Sequence, residues 1–592
     1  MCGIVGLIDQ RRPVDARTFT AMRDALVHRG PDDAGSEFLD GGRVALGHRR
    51  LSFLDLSPHG RQPLANEDGT VWVTFNGEIY NYLELRDELA AAGHLFATAT
   101  DSEVLVHGYE AWGERLVERL RGMFAFGIVD LREKRVFLAR DRFGIKPLYY
   151  SQQDVLFAFA SELKAFAPCA GLKRSLDVSA LADYLNYRYV PSPKTIWKQV
   201  AKLPPAHCLS FDYERFQGAT REYWRIPFGS TRATPTEVAD RLEARLRESV
   251  RLHARSDVPV GAFLSGGYDS SAIVVAMTET GLRPRTFAIG FEGWRDSEHL
   301  QAERVAEAVG VPLEHELVTD RTLDHLDVMP DVYDEPLADI SILPTWLVSR
   351  LARRHVKAVM SGEGGDELLG GYWWERKVHD DTPPSRTARL WRAVTRPPRD
   401  LVAFYGDAMA MGRFDRGEML RAFVPALHGE VPEDPDWFYR RHFDRHASPL
   451  RAVQRLDITC FMAELVLVKV DRASMAHSLE VRVPFLDHEL FADIASLHED
   501  SVVERGVTKA PLRRLLADKV PAETLSRPKQ GFVGPDEHYR TMDLYRRRLD
   551  ESRLVADGIL RQEYLAGLFA ADDFWRLWKL FIAEGWYRRW VG

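Results

Sequence analysis

Over the first two hundred residues the hydrophobic positions fall in short runs separated by turn residues. The runs at 43–56 (RVALGHRRLSFLDL), 71–81 (VWVTFNGEIYN), 123–131 (MFAFGIVDL), 135–142 (RVFLARDR) and 155–162 (VLFAFASE) read as strands. Two amphipathic segments interrupt them, at 82–91 and 102–120. The second carries Val104, Leu105, Tyr109, Trp112, Leu116 and Leu120 at helical spacing. This predicts an α+β unit dominated by sheets over 2–210. From 211 to 235 the pattern dissolves into polar, Gly-, Pro- and Thr-containing chain, which reads as a linker. A long amphipathic segment then runs to about Leu252, and apolar strands alternate with helices (VGAFL, SSAIVVAMTE, RTFAIGF, HLQAERVAEAVG). That alternation predicts a parallel sheet covered by helices. Beyond Tyr372 the chain reads as mostly helical, with a proline-rich surface stretch at 383–398. The second domain is therefore expected over 236–592.

Charge narrows the partners. Seventy-nine basic against eighty-seven acidic residues leave a net −8, no footprint for nucleic acid. Cys2, Cys169, Cys208 and Cys460 form no CxxC pair, so neither a zinc framework nor disulfides are expected, as suits a reducing cytoplasm. No signal peptide and no apolar run of membrane-spanning length is seen. The oligomeric state stays open, with a homodimer among the options.

The chain opens Met1-Cys2-Gly3-Ile4-Val5-Gly6. If Met1 is removed, Cys2 carries a thiol beside a free α-amine able to take or relay the thiol proton. HRGPD (28–32) offers charge and a turn, HRRLSFLD (48–55) puts Arg50 at a strand, FNGEIYN (75–81) puts Asn76, Gly77 and Glu78 at a strand end, and TDSEV puts Asp101 before a helix. A free amino acid needs a cation for its carboxylate, a role that suits Arg50, and anions for its ammonium, a role that suits Glu78 and Asp101. Asn76 and the Gly77 amide suit an oxyanion hole. Taken singly, Asp101 is also a plain helix cap and Asn76-Gly77 a plain hairpin turn.

In order and spacing these motifs, with RGMFAF (121–126) and ARDRFGIKPLYY (139–150), resemble the class II glutamine amidotransferase domain of the N-terminal nucleophile fold, an αββα sandwich. The resemblance implies that Cys2 attacks the glutamine side-chain amide and releases ammonia. Arg50, Asn76, Gly77, Glu78 and Asp101 would then hold the glutamine.

The second signature is VPVGAFLSGGYDSSAIVVAM. An apolar strand ends at Leu264, and Ser265, Gly266, Gly267, Tyr268, Asp269, Ser270 and Ser271 lead into a helix. Glycines turn the chain, and hydroxyls and amides at a helix N-terminus suit a phosphate chain, with Asp269 a candidate magnesium ligand. The Gly-Lys-Ser/Thr end of a Walker A loop is missing. VMSGEGGDELLGGY adds Ser361, Gly362, Glu363, Asp366 and Glu367, acids that make sense beside phosphates with magnesium or a cationic substrate group. Lys469, Asp471, Arg472, Glu480, Arg482, Lys509, Arg513 and Lys529 supply further charge, with Gln530 beside Lys529, and a cation among them suits the leaving pyrophosphate.

This half resembles the ATP-pyrophosphatase-type α/β domain of asparagine synthetases over about 236–532. The resemblance implies adenine contacts through backbone at Leu264 and Ile289, ATP held by Ser265 to Ser271 with Ser361 and Gly362, and metal at Asp269 and Asp366. It agrees at Glu363 as a catalytic residue and favours Lys529, in RPKQGF, as the catalytic cation. DEPLADISILPTWL (334–347) has no arginine for an acceptor α-carboxylate. The expectation is ATP- and Mg2+-dependent amidation of a carboxylate through an acyl-adenylate with nitrogen from glutamine, the acceptor foremost aspartate. Another carboxylate, such as a surface-sugar uronic acid or natural-product intermediate, is the alternative. A glutaminase with a binding-only second domain comes behind these.

Overall fold

In the computed structural model, residues 2–294, 297–382, 400–526, 531–532, 539–540 and 542–592 are described. The N-terminal half contains β1 (Gly3–Asp9), β2 (Asp33–Leu39), β3 (Val44–Arg50), β4 (Leu64–Ala65), β5 (Val71–Ile79), β6 (Gly122–Asp130), β7 (Arg135–Arg140), β8 (Tyr149–Gln153), β9 (Leu156–Ala160), β10 (Ala201–Lys202), β11 (His207–Asp212) and β12 (Gln217–Glu222). They form two six-stranded antiparallel sheets, ordered β10-β8-β9-β1-β3-β2 and β12-β11-β7-β6-β5-β4.

Strand alternation decides which face each residue serves. On β1, Ile4 and Ile8 point between the sheets and share a buried cluster with Ala125, Val129, Leu138 and Phe159. Val5 and Leu7 point the other way, to Phe19 and Met22 of the helix Ala16–Asp24. On the far side, Val73, Phe75, Phe124 and Phe126 pack on Leu85, Leu89, Val104 and Leu105 of the helices Tyr82–Ala91 and Glu103–Trp112. The layers run helix, sheet, sheet, helix, which is the αββα sandwich expected.

Two boundaries differ from the pattern reading. The segment expected to be one helix over 102–120 breaks at Gly113, whose φ of 59° ends Glu103–Trp112 before a short 3-10 turn and the helix Leu116–Arg119. The linker expected over 211–235 begins later, because Phe211 and Asp212 belong to β11 and residues 217–222 form β12, an edge strand of the second sheet. Every residue of β12 is exposed, so it carries no hydrophobic alternation to read.

The helix Pro235–His253, with the capping box Thr234/Glu237, opens the second half. Strands β13 (Val260–Phe263), β14 (Thr286–Phe291), β15 (Leu313–Val318), β16 (Ala358–Met360) and β17 (Glu480–Arg482) make an all-parallel sheet ordered β15-β14-β13-β16-β17. The C-terminal region is helical, closing with Phe574–Trp590, on which Trp578 and Trp586 are buried. The proline-rich stretch 383–398 lies outside the described residues. The two halves pack directly: Leu51 and Phe53 of the sandwich cluster with Ala358 and Met475.

Candidate active sites

Cys2 lies just before the central strand β1 and is buried. Its backbone N donates to Asn76 Oδ1 at 2.9 Å, and its Sγ lies 3.9 Å from the Leu51 carbonyl. Burial pushes the thiol above its ordinary value. Asn76 is fully buried, and with Oδ1 occupied its Nδ2 has no hydrogen-bond partner among the described residues. A buried donor without a partner is what an oxyanion hole presents before substrate arrives. Gly77 has φ +154°, and a Cβ there would run into the Met123 carbonyl across the β5–β6 ladder. Only glycine fits.

One hollow is lined by Cys2, Arg50, Gly60, Gln62, Gly77, Glu78 and Asp101 among others. Arg50 donates to the carbonyls of Ser57 (3.0 Å), Leu54 (3.1 Å) and Asp55 (2.5 Å), which fix its guanidinium at the rim. Gly60 packs so closely on that guanidinium that a side chain there would displace it. Asp101 Oδ2 accepts from the Ile79 amide at 2.8 Å. Burial raises both Glu78 and Asp101, the latter to about 7. All five expected glutamine-pocket residues are thus brought together with Cys2.

Behind the pocket, a residue of the other half of the chain holds Glu78. Arg482 on β17 is fully buried and pairs with Glu78 at 3.3 Å and with Glu480 at 2.6 Å. Its backbone carbonyl meanwhile accepts from Ser361 N at 2.9 Å, at the start of the acid-rich loop. Arg29, from HRGPD, donates through Nε to the Cys2 carbonyl (3.0 Å) and bidentately to Asp471 (2.8 and 3.0 Å). Its third partner is Glu162 at 2.7 Å. Motif reading noted charge at 28–32 without this role. The signal was an arginine beside a turn, and its carboxylate partners lie 133 and 442 residues away.

The second site sits at the carboxyl ends of β13, β14 and β16, where parallel sheets open a crevice. Ser265 N and Oγ lie 3.1 and 3.0 Å from Ser270 Oγ, and Gly267 N donates to Ser265 Oγ at 3.3 Å. This tight turn feeds the helix Tyr268–Glu279, capped by Gly267 with no side-chain capping bond. A helix start of this kind, entered through a glycine turn, is where backbone amides and the positive end of the helix dipole meet an anion. Ser271 Oγ is buried without a hydrogen-bond partner among the described residues. Leu264 N donates to Phe287 O at 2.9 Å, and Ile289 sits on β14 opposite Glu316.

Gly362 lies against the loop: a Cβ there would stand 2.7 Å from Asp269 Cβ. Its lack of a side chain lets Ser361, Gly362 and Glu363 lie beside the Ser-Gly-Gly turn. Glu363 Oε2 has no hydrogen-bond partner among the described residues.

Asp269 and Asp366 converge on one group, Lys509 Nζ, which pairs with Asp269 and lies 2.6 Å from Asp366. Burial acts against the Lys509 ammonium, but the two carboxylates outweigh it and raise its pKa. Of the other cations, Lys469 donates to Ser341 Oγ at 2.7 Å, and Arg472 is held by Glu162 (2.8 Å) and Asp334 (3.1 Å) at the interface of the halves. Lys529 and Gln530 lie outside the described residues. In DEPLADIS, Asp334, Glu335 and Asp339 face Arg472, Lys202 and Lys469 respectively. No helix among the described residues is long and apolar enough to cross a membrane, and all four cysteines are free.

A sandwich with an N-terminal cysteine pocket, joined to a parallel sheet with a phosphate-type loop, defines an ATP-dependent glutamine amidotransferase. Residues 1–224 match the glutamine amidotransferase domain model and residues 241–588 the asparagine synthase model. Asparagine synthetase [glutamine-hydrolyzing] 1 of Bacillus subtilis is 32% identical, over 99% of this chain and 96% of the relative. A putative asparagine synthetase [glutamine-hydrolyzing] of Mycobacterium tuberculosis is 36% identical over 91% and 88%. Amidase chry2 of Gibberella zeae is 28% identical over 90% and 89%. The chain belongs to the asparagine synthase family of glutamine-hydrolysing, ATP-dependent carbon–nitrogen ligases.

Proposed function

We propose that the protein amidates aspartate to asparagine in the cytoplasm, with ATP cleaved to AMP and pyrophosphate and glutamine to glutamate. The observation that carries an amidation, rather than two separate activities, is Arg482, whose side chain braces Glu78 in one site while its carbonyl holds Ser361 in the other. Aspartate is favoured by relatives named asparagine synthetase that match nearly the whole chain.

Cys2 Sγ attacks the glutamine amide, with the α-amine freed by loss of Met1 relaying the proton. Asn76 Nδ2 and the Gly77 amide receive the oxyanion, Arg50 holds the α-carboxylate, and Glu78 and Asp101 hold the ammonium. Ammonia leaves and water releases glutamate from the thioester.

In the second site the acceptor carboxylate displaces pyrophosphate from ATP, and ammonia then displaces AMP. Ser265 to Ser271, Ser361 and Gly362 hold the phosphates, with Leu264 and Ile289 beside the adenine. Glu363, with its unpartnered oxygen, takes the proton from the attacking nitrogen. Two carboxylates beside the phosphate loop are hard oxygen donors that suit Mg2+, so Asp269 and Asp366 would hold it. A bound magnesium ion would neutralise phosphate charge. Lys509 supplies positive charge there, and Lys529 is the proposed second cation. Ammonia takes an internal route between the sites, because in bulk water near pH 7 it would be protonated.

The test is pyrophosphate release with glutamine, ATP and a panel of carboxylates. Release with aspartate is expected. Silence with aspartate and release with a uronic acid or other carboxylate would overturn the acceptor assignment. Cys2→Ala should abolish glutamine-driven turnover and spare ammonia-driven turnover.

A further inference from the structure

A second cluster of ligand-type side chains lies in the sandwich, outside both sites. Glu67 follows β4, His94 follows the helix Tyr82–Ala91, and His107 and Glu110 lie one turn apart on the helix Glu103–Trp112. His107 Nδ1 is 3.2 Å from Glu110 Oε2 and 3.9 Å from Glu67 Oε2, and His94 Nδ1 is 3.7 Å from Glu110 Oε2. Four ligands at about 2.0–2.1 Å from a tetrahedral zinc stand roughly 3.3–3.4 Å from one another. Glu67, His94 and His107 hold their ligand atoms within 4.8 Å of one another, and Glu110 stands 3.2 Å from His107 and 3.7 Å from His94, so the side chains would draw together to reach that spacing.

The groups are also aimed. Glu110 Oε1 is held by Asn66 Nδ2 at 2.7 Å and Glu67 Oε1 by the Leu95 amide at 3.2 Å, which leaves each Oε2 for the cluster. His107 is 1% exposed, and its other nitrogen, Nε2, is without a hydrogen-bond partner yet 3.8 Å from Glu103 Oε1. A small turn of the ring would let Nε2–H donate to Glu103, the contact that sets a ligating histidine's tautomer. Glu67 is about half exposed, which gives an ion a way in. Arg132 approaches Glu110 at 3.5 Å from the rim, on the oxygen that Asn66 already holds.

We propose that Glu67, His94, His107 and Glu110 form a structural zinc site. It ties the turn after β4 and the loop after Tyr82–Ala91 to the helix Glu103–Trp112. That loop runs directly into Asp101, so the ion fixes one wall of the glutamine pocket from behind.

The test uses full-length protein in a Cys2→Ala background, so that the nucleophile thiol takes no metal. Chelator-treated protein is dialysed against Zn2+, washed and assayed for metal, and Co2+ is added separately for its visible spectrum. One retained zinc per chain and intense tetrahedral Co2+ bands are expected. His94→Ala and Glu67→Gln, both at accessible positions, should each lower retained zinc at least about tenfold and leave the circular dichroism unchanged. No retained zinc, weak octahedral Co2+ bands, or the same retention in both variants would overturn the proposal. The cluster would then be an ion-pair network around a protonated His107.

Discussion

Asn76→Ala removes the side-chain donor of the proposed oxyanion hole, together with the acceptor of Cys2 N. Asn76 Oδ1 is tied to Cys2 N, so the amide cannot flip, and its Nδ2 is fixed in a buried position with no competing partner among the described residues. A pre-aimed donor in such a site is worth about 10²–10³ in kcat, or ~2.7–4 kcal/mol of transition-state stabilisation. The same change leaves Cys2 N without its acceptor, which costs about 1–3 kcal/mol of folding stability. The assay compares asparagine formation with glutamine and with ammonium as nitrogen source, alongside thermal melting. Glutamine-driven kcat should fall by about 10²–10³ with ammonium-driven kcat unchanged. Retention of more than about a tenth of the glutamine-driven rate, or a parallel loss with ammonium, would refute the role given to Nδ2.

Arg482→Met removes a cation from between the buried carboxylates Glu78 and Glu480, and breaking such a network costs about 3–5 kcal/mol. The melting temperature should fall and the KM for glutamine should rise, and an unchanged KM would count against the bracing role. Lys509→Met leaves Asp269 and Asp366 facing each other without their shared ammonium. Pyrophosphate release should be lost while glutamine hydrolysis stays within roughly twofold, since the change shares no partner with the glutamine pocket. Because burial holds Asp101 up at about 7, its charge is lost as pH falls through that value, so kcat/KM for glutamine should drop below about pH 7. A flat profile between about pH 6 and 8 would contradict this. For folding the sign is opposite: a raised carboxyl pKa favours the folded state below the unfolded value, and that contribution is lost as pH rises through about 7.

Much of the glutamine pocket was legible because its residues sit at strand ends and turns, where local chemistry is written in local sequence. Asn76, Gly77, Glu78 and Asp101 are of this kind: the last three line one hollow with Cys2, and Asn76 bonds to Cys2 beside it. The phosphate loop was legible for the same reason. What local reading could not see was who stands behind these residues. Glu480 and Arg482 were noted only as charges of the second half, yet Arg482 braces Glu78 some four hundred residues away. Arg29 was a charge in a turn until Asp471 was seen to meet it. The edge strand β12 escaped because, exposed on both faces, it has no period to betray it. The helix break at Gly113 escaped because the apolar spacing continues through it.

The position of Arg482 bears on how far this protein can be taken apart. A sandwich cut out at the end of β12 would keep Cys2 and its immediate companions but lose the cation that offsets Glu78, and the Cys2 carbonyl would lose the Asp471 anchor behind Arg29. The glutamine-handling half is therefore not a self-sufficient module. A chimera that grafts a different acceptor domain onto it must carry a strand equivalent to β17, in the same register, or leave Glu78 buried without its cation.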